Sequence, residues 1–214
     1  KTYAETGCPL PTPEQGTRHI PVDPVILAAL ADQAALDAGV ELLFHAMPAG
    51  IVREKEAWNI RICTKTGLRT VRARVVIDAT GDANATVLAG FGVVRPDVMQ
   101  PATLTFRCSG YDPGALDYGA LKAAADQAIA AGELLATDIG WWRDGPEALL
   151  RKHGDNANHL RAPDAHTSEG KSRAEIEGRR ALLRMTRFLR KQPGLEQFRI
   201  DWACPETGIR ETVT

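Results

Sequence analysis

The spacing of apolar positions changes period several times along the chain. Ile26, Ala29, Leu30 and Ala34 recur at helical spacing, interrupted by the amide of Gln33, and predict a helix over 24–38. Asp23-Pro24 supplies an N-cap and a proline at the first helical position. Gly39 is placed to close the helix in a left-handed C-cap. The period then shortens to two. VELLFHA at 40–46, IVREK at 51–55 and WNIRICT at 58–64 read as strands, the last alternating through Trp58, Ile60 and Ile62. Thr66-Gly67 suits a hairpin turn, and Leu68–Arg72 returns from it. Arg74–Ala79 is apolar on both faces at Val75, Val76 and Ile77, the pattern of a central parallel strand covered on both sides.

Beyond Asp82 a short helix is expected over Ala85–Ala89, ending near Gly90. ATLTFRCSG at 102–110 is the next strand, with Leu104 and Phe106 alternating against polar neighbours. Leu121, Ala125, Ala128 and Ile129 share one face of a helix over 113–131, which Gly132 ends. Residues 133–172 carry turn signals and weak periodicity, so they read as a loop-rich segment with a strand near Trp141. A helix over 173–191 has a capping box at Ser172 and Glu175. Gly178, Ala181, Leu182, Met185, Phe188 and Leu189 form its buried stripe. Arg180, Arg184, Arg187 and Lys191 lie opposite, as a solvated face, and Pro193-Gly194 stops the helix. Residues 1–22, rich in Pro, Thr and Gly, read as an irregular loop. The fold class these elements imply is α/β, α+β overall.

Composition narrows the function classes. The 214 residues are 44% hydrophobic and 25% charged, enough apolar material for a core. Net charge is −1, from 26 basic and 27 acidic residues, without the basic excess that general nucleic-acid or membrane-surface binding needs. Aromatic residues at 6% are too few for a single-strand stacking platform. No apolar stretch approaches the ~20 residues of a membrane span; the lack of a visible signal peptide says little, because the chain opens on Lys1 in loop-like sequence, and a cytoplasmic location is the expectation. Cys8, Cys63, Cys108 and Cys204 are widely spaced with no C-x-x-C, so no metal or iron–sulfur site is expected and the thiols read as reduced. No G-x-S-x-G elbow is present, and Ser109 has no recognisable base near it in sequence.

Chemistry is best sought at VVIDATGD, residues 75–82, where an apolar run stops on small polar residues. A Gly turn after a core strand is one reading. The other is a ligand against the strand end, where a small residue and a Gly let it approach the backbone. The wider pattern bears on that choice. RVVIDATGDANATVLAG resembles the Ala-Thr-Gly-Asp segment of the FAD-dependent oxidoreductases of the FAD_oxidored family. DPVILAALADQAALDAGVELLFHA resembles that family's preceding helix and strand. SRAEIEGRRALLRMTRFLRKQPGLEQFRI resembles its Ala-Glu-x-x-Gly-Arg helix leading into a Pro-Gly turn. TGIRET at 207–212 resembles its Gly-Ile/Val-Arg-Glu segment. Together these cover most of 23–94 and 163–212.

The resemblance implies a flavin domain of the two-dinucleotide-binding type, split in sequence by an inserted substrate domain. On that frame, 1–94 is a partial FAD-binding domain, 95–206 a substrate domain, and 207–214 the start of the return. The implied cofactor is FAD, with Ala79, Thr80, Gly81, Asp82 and Met47 as binding residues. If Pro48, beside Met47, is the family's adenine-binding position, it has no N–H to donate, and adenine recognition is either lost there or moves to Met47. Arg210 and Glu211 are the first candidates for the flavin or substrate neighbourhood, followed by Arg179. An Arg–Glu structural pair is the plainer alternative. His166 and His159 are possible acid–base groups, since imidazole titrates near neutrality, with surface positions as the plainer reading. The spacing of His153, His159 and His166 does not suit a metal site.

The function this frame implies is flavin-mediated hydride transfer on a small molecule. The alternative is a non-catalytic α/β binding module that keeps the scaffold without the cofactor. The phosphate-binding G-x-G-x-x-G segment and the later Gly-Asp segment are absent; Gly90-Phe91-Gly92 lacks the third Gly and reads as a turn. The sequence therefore reads as an internal portion of an enzyme, whose partners include the remaining segments of the same polypeptide. The expected outcome is that the isolated 214-residue chain purifies with little or no flavin. Stoichiometric yellow absorbance of the purified chain would contradict this.

Overall fold

The structure is a computed structural model that describes residues 22–97, 99–140, 145–156, 158–210 and 213. The irregular loop expected before residue 22, the strand expected near Trp141, and Glu211 lie outside the described residues. The chain divides into two compact units, residues 1–76 and 77–214. Helices and antiparallel sheets are mixed, and the class is α/β in the broad sense, α+β overall.

In the first unit, helix α1 spans Pro24–Asp37. Asp23 Oδ1 accepts from the Val25 and Ile26 amides at 2.9 and 3.1 Å, and Pro24 opens the helix. At the other end Gly39 is left-handed, with φ +75°. Its amide donates to Leu36 O, and the Val40 amide reaches back to Ala35 O, both at 2.9 Å. That bond pair is a Schellman closure. Strands β1 (Met47–Glu54), β2 (Ala57–Thr64) and β3 (Gly67–Ala73) form an antiparallel meander in that order. Its hairpins turn at Lys55-Glu56 and at Lys65-Thr66. The register shifts between Pro48 and Gly50, where proline has no N–H to give the ladder. Arg53 stacks over Trp58, its cross-strand partner, at 5.5 Å.

Two apolar runs depart from expectation. Residues 40–46 are not a strand; pairing begins only at Met47. Residues 74–79 are not a strand either, and Val75 and Ile77 are 73% and 87% exposed rather than doubly covered. The reason is the ladder. β1 and β3 each pair with β2, and no described strand pairs with 40–46 or 74–79. An apolar run without a neighbouring strand has no partner for its amides and carbonyls.

The second unit opens with the short helix α2, Asn84–Leu88. Strand β4 follows at Phe106–Ser109, shorter than the expected 102–110. Ala102 and Thr103 make only isolated bridges, to Leu160 and Gly208. The Leu104 amide donates to the buried Asn158 side chain at 2.9 Å, so a side chain stands where a strand neighbour would be. The helix expected over 113–131 is split into a 3₁₀ turn at Pro113–Ala115 and α3 at Tyr118–Ala130. Asp112 and Asp117 each cap a separate start, accepting from the Gly114 and Ala120 amides. Within the segment read as loop-rich, α4 (Glu147–Arg151) and the two-residue strand β5 (Gly154–Asp155) appear. Helix α5 runs Ser168–Leu189 and strand β6 Arg199–Ala203. The second sheet has the order β5-β4-β6, all antiparallel.

Every residue of the stripe read for α5 is buried, against a core that includes Phe106, Leu134, Ile139, Leu150, Leu195 and Phe198. The helix starts earlier than its sequence suggests. Thr167, not Ser172, is the N-cap, its hydroxyl accepting from the Gly170 amide at 3.0 Å. Ser172 is one turn inside and donates to Ser168 O, while Glu175 turns to Thr207. Arg184 also departs from the solvated face. Its guanidinium forms a two-pronged bond to Asp138 at 2.8 and 2.9 Å and a third bond to Glu177 at 2.7 Å. Asp138 is fully buried and also accepts from the Leu135 amide. The bonds to Asp138 raise the Arg184 pKa and keep it charged.

Removing one partner of such a pair leaves a buried charge alone. Arg184→Met is expected to destabilise the second unit by about 3 kcal/mol in urea unfolding. Arg184→Met with Asp138→Leu is expected to recover much of that loss. A loss under about 0.5 kcal/mol for the single variant, the range of ordinary surface changes, would show the pair to be unimportant.

Candidate functional site

The segment 78–86 is tied together by one carboxylate. Asp78 Oδ1 accepts from the Thr80 amide at 3.0 Å and the Thr80 hydroxyl at 2.7 Å. Asp78 Oδ2 accepts from the Thr86 amide at 2.8 Å and the Thr86 hydroxyl at 2.7 Å. The Thr80 hydroxyl in turn accepts from the Asn84 amide at 2.8 Å. The first part is an Asx turn, which Asp followed two residues later by Thr favours. The second part reaches the body of α2 and holds that short helix against the loop. These bonds, first those from the Thr80 and Thr86 side chains, hold the Asp78 carboxyl well below the usual carboxylate range.

Between those two anchors the backbone is left-handed at Gly81, φ +86°, and at Ala83, φ +51°. A Cβ added at Gly81 would meet no atom within 4 Å, so its backbone borders open space. Asp78, Ala79, Gly81, Ala83, Thr86 and Val213 line an open recess of about 410 Å³. All six belong to the second unit. No Lys or Arg is among these lining residues, and the one carboxylate among them already accepts four hydrogen bonds.

The residues singled out from sequence fall in several places. Ala79 and Gly81 line the recess. Thr80 sits between them with its hydroxyl engaged by Asp78 and Asn84, and Asp82 is half-buried. Met47 is the exposed first residue of β1, in the first unit. Arg210 is exposed, just past the Thr103–Gly208 bridge. Arg179 is exposed on α5 and pairs with Glu175 at 3.3 Å. His166 is half-buried; Arg95 bonds its Nε2, and its buried Nδ1 has no partner among the described residues. His159 lies 3.3 Å from the Thr103 hydroxyl, and burial pulls its pKa down. Among the described residues no three His, Cys, Asp or Glu side chains are grouped to hold a metal ion. No described helix is long and apolar enough to cross a membrane.

Ala83, Thr86 and Val213 are the lining residues that the sequence did not mark. Thr86 carries a signal after the fact: a second Thr on the same turn as a helix start, within reach of an Asp-x-Thr. Val213 carries none, since it comes from the far end of the chain.

The recess is thus bordered by a small-residue loop closed on a carboxylate, in a mixed α+β fold. The class is more specific than that: the chain belongs to the FAD-dependent oxidoreductase family, whose model, described as FAD dependent oxidoreductase, matches residues 1–214. No curated protein sequence matches the chain. Among solved structures, it is similar to the crystal structure of p-nitrophenol 4-monooxygenase PnpA from Pseudomonas putida DLL-E4. Identity is 15% and the TM-score 0.41, over 91% of this chain and 45% of that one. This chain therefore spans less than half the length of that enzyme, and a likeness so distant adds nothing to the reading of the site.

The Asp78 carboxyl is expected to titrate below the ordinary aspartate value of about 3.9. Its stabilising contribution is present above that unfolded value and is lost as pH falls through the lower folded one. Carboxyl-carbon NMR should therefore show Asp78 ionised through mild acid, with the loop intact. A midpoint at or above the ordinary value would contradict the four-bond arrangement.

Proposed function

We propose that the protein acts in flavin-dependent oxidation or reduction of a small molecule, by hydride transfer, and that the recess at 78–86 takes part of FAD. The observation that carries this is the family match over residues 1–214. The residues present suit part of such a group. Ala79, Gly81 and Ala83 leave the backbone approachable, and the volume falls at the lower end of small-ligand pockets, roughly 300–1,000 Å³. The described lining residues include no cation, which suits an uncharged portion of the cofactor better than its phosphates. Bound FAD would supply the redox chemistry, accepting or donating the hydride.

The chain's own residues would do the rest. Asp78, with Thr80 and Thr86, holds the wall in shape. Thr80 and Asp82 complete the proposed contact segment. Arg210 and Glu211 are proposed to place charge near the flavin or substrate, three and two residues before Val213 of the recess. Arg179 and His166 stand behind them, since each is already engaged, by Glu175 and by Arg95. Residues 95–206 are proposed to supply the substrate side, and Met47 to contact the adenine end.

The test uses the protein expressed from its complete reading frame. Ala79→Leu fills the recess without asking for left-handed backbone, and is expected to lower FAD occupancy at least tenfold in a folded protein. Gly81→Leu should do the same, with added strain from its positive φ. Occupancy is read from flavin absorbance, and anaerobic bleaching with a panel of alcohols and sugars seeks the substrate class. Unchanged occupancy in both variants would place the cofactor elsewhere. A folded protein that never takes up flavin would favour the binding-module reading.

A further inference from the structure

The sheet β5-β4-β6 is covered on one face only. Phe106 and Cys108 of β4 belong to the core, and Ile200 and Ala203 of β6 pack against it. Arg107 and Trp202 alternate to the opposite face, where both are exposed. The register sets Gly154, Arg107 and Trp202 side by side across the three strands. Gly154 gives the row no side chain, and a Cβ there would run into Phe106 O, so that flank stays clear. On the other flank Trp202 is 51% exposed, and no hydrogen bond or ring contact engages its indole among the described residues. Between them the Arg107 guanidinium bonds the Lys152 carbonyl at 3.5 Å and no carboxylate among the described residues. Asp201, which the β4–β6 register skips, is already taken, accepting from the Ser109 hydroxyl at 2.8 Å and from Arg199 Nε at 3.1 Å. An open sheet face of polar residues is ordinary, but a large aromatic left in water beside an unpaired cation is not.

We propose that this row binds a planar carboxylate, with the indole of Trp202 against the ring and the Arg107 guanidinium on the acid group. The chemistry of each group selects one half of that ligand. An exposed indole offers an apolar face that gains from stacking on a flat ring. A guanidinium without a carboxylate partner offers a fork of N–H donors that matches an acid group in two parallel bonds. Neighbouring strands stand about 4.8 Å apart, a distance that one flat aromatic acid spans. A neutral ligand would leave Arg107 unanswered, and an aliphatic acid would leave the indole face wet. The proposal rests on the reading that residues 95–206 supply the substrate side, and it gives that substrate a class.

The experiment titrates the protein from its full reading frame, by calorimetry, with three probes: 2-naphthoate, 2-naphthalenemethanol and octanoate. The wild type is expected to bind 2-naphthoate at least tenfold more tightly than the neutral alcohol or the aliphatic acid. Arg107→Met should abolish the preference for the acid over the alcohol. Arg107→Lys, which keeps the charge without the fork, should retain part of it. Trp202→Leu should weaken 2-naphthoate binding at least fivefold, and Trp202→Phe should recover part of that loss. Circular dichroism checks the fold of each variant, and Arg107→Lys and Trp202→Phe carry the test if a truncation does not fold. A wild type that binds no 2-naphthoate, or binds acid and alcohol equally, overturns the site. So does an unchanged preference in both Arg107 variants, or an unchanged 2-naphthoate affinity in both Trp202 variants. Flavin absorbance of the same samples separates the two readings. Flavin-loaded protein that ignores 2-naphthoate overturns this site and leaves the flavin reading intact. Flavin-free protein that binds it upholds the site and overturns the flavin reading.

Discussion

The second unit depends on how closely α5 can approach what lies beneath it. Position 178 has no side chain, and that absence brings the helix against Thr207 and Leu104. From this contact the rest follows. The apolar face of α5, through Met185, Phe188 and Leu189, covers the core that contains Phe106 and Phe198. Its polar edge does separate work. Arg184 satisfies the buried Asp138, and Lys171 with Glu175 satisfies the peptide at Thr207. Buried polar groups of this kind are expensive to leave alone, so each needs its partner at a defined height along the helix. Packing and polar pairing thus specify the same register.

How much of this was legible in the sequence varied with the kind of signal. Local chemistry is the most legible part. Asp23-Pro24 and Gly39 delimit α1 to within a residue, and the alternation at Trp58, Ile60 and Ile62 lies in β2. The stripe of α5 is legible residue by residue, because a long amphipathic helix repeats its signal over several turns. The misses have a shared cause, which is competition from distant partners. Ser172 with Glu175 has the spacing of a capping box, but Thr167 offers a cap earlier and Thr207 draws Glu175 away. Arg184 looks like one more surface cation until Asp138, far away in sequence, is folded beneath it. Runs 40–46 and 74–79 have strand composition, but a strand is defined by pairing, and composition does not supply a partner.

The candidate site shows the same division. Ala79, Thr80 and Gly81 stand out in the sequence because small residues and a Gly after an apolar run are unusual. The fold gives them a recess, with Gly81 in the backbone region that glycine favours. What organises the loop is Asp78, whose four hydrogen bonds could not be read from the order of residues alone. The family assignment needed neither the bonds nor the recess. It rests on the chain as a whole, whereas the placement of individual groups rests on geometry.

The two units differ sharply in what holds them. In the first, the buried apolar residues among those described are Ile51 and Ala57, and α1 buries none of its side chains. Its structure rests on caps, hairpin turns and strand pairing, which are local and individually weak. The second has a contiguous core and a buried ion pair. Cooperativity is a property of shared packing, so the core around α5 should be lost in one step, whereas the meander and α1 can fray element by element.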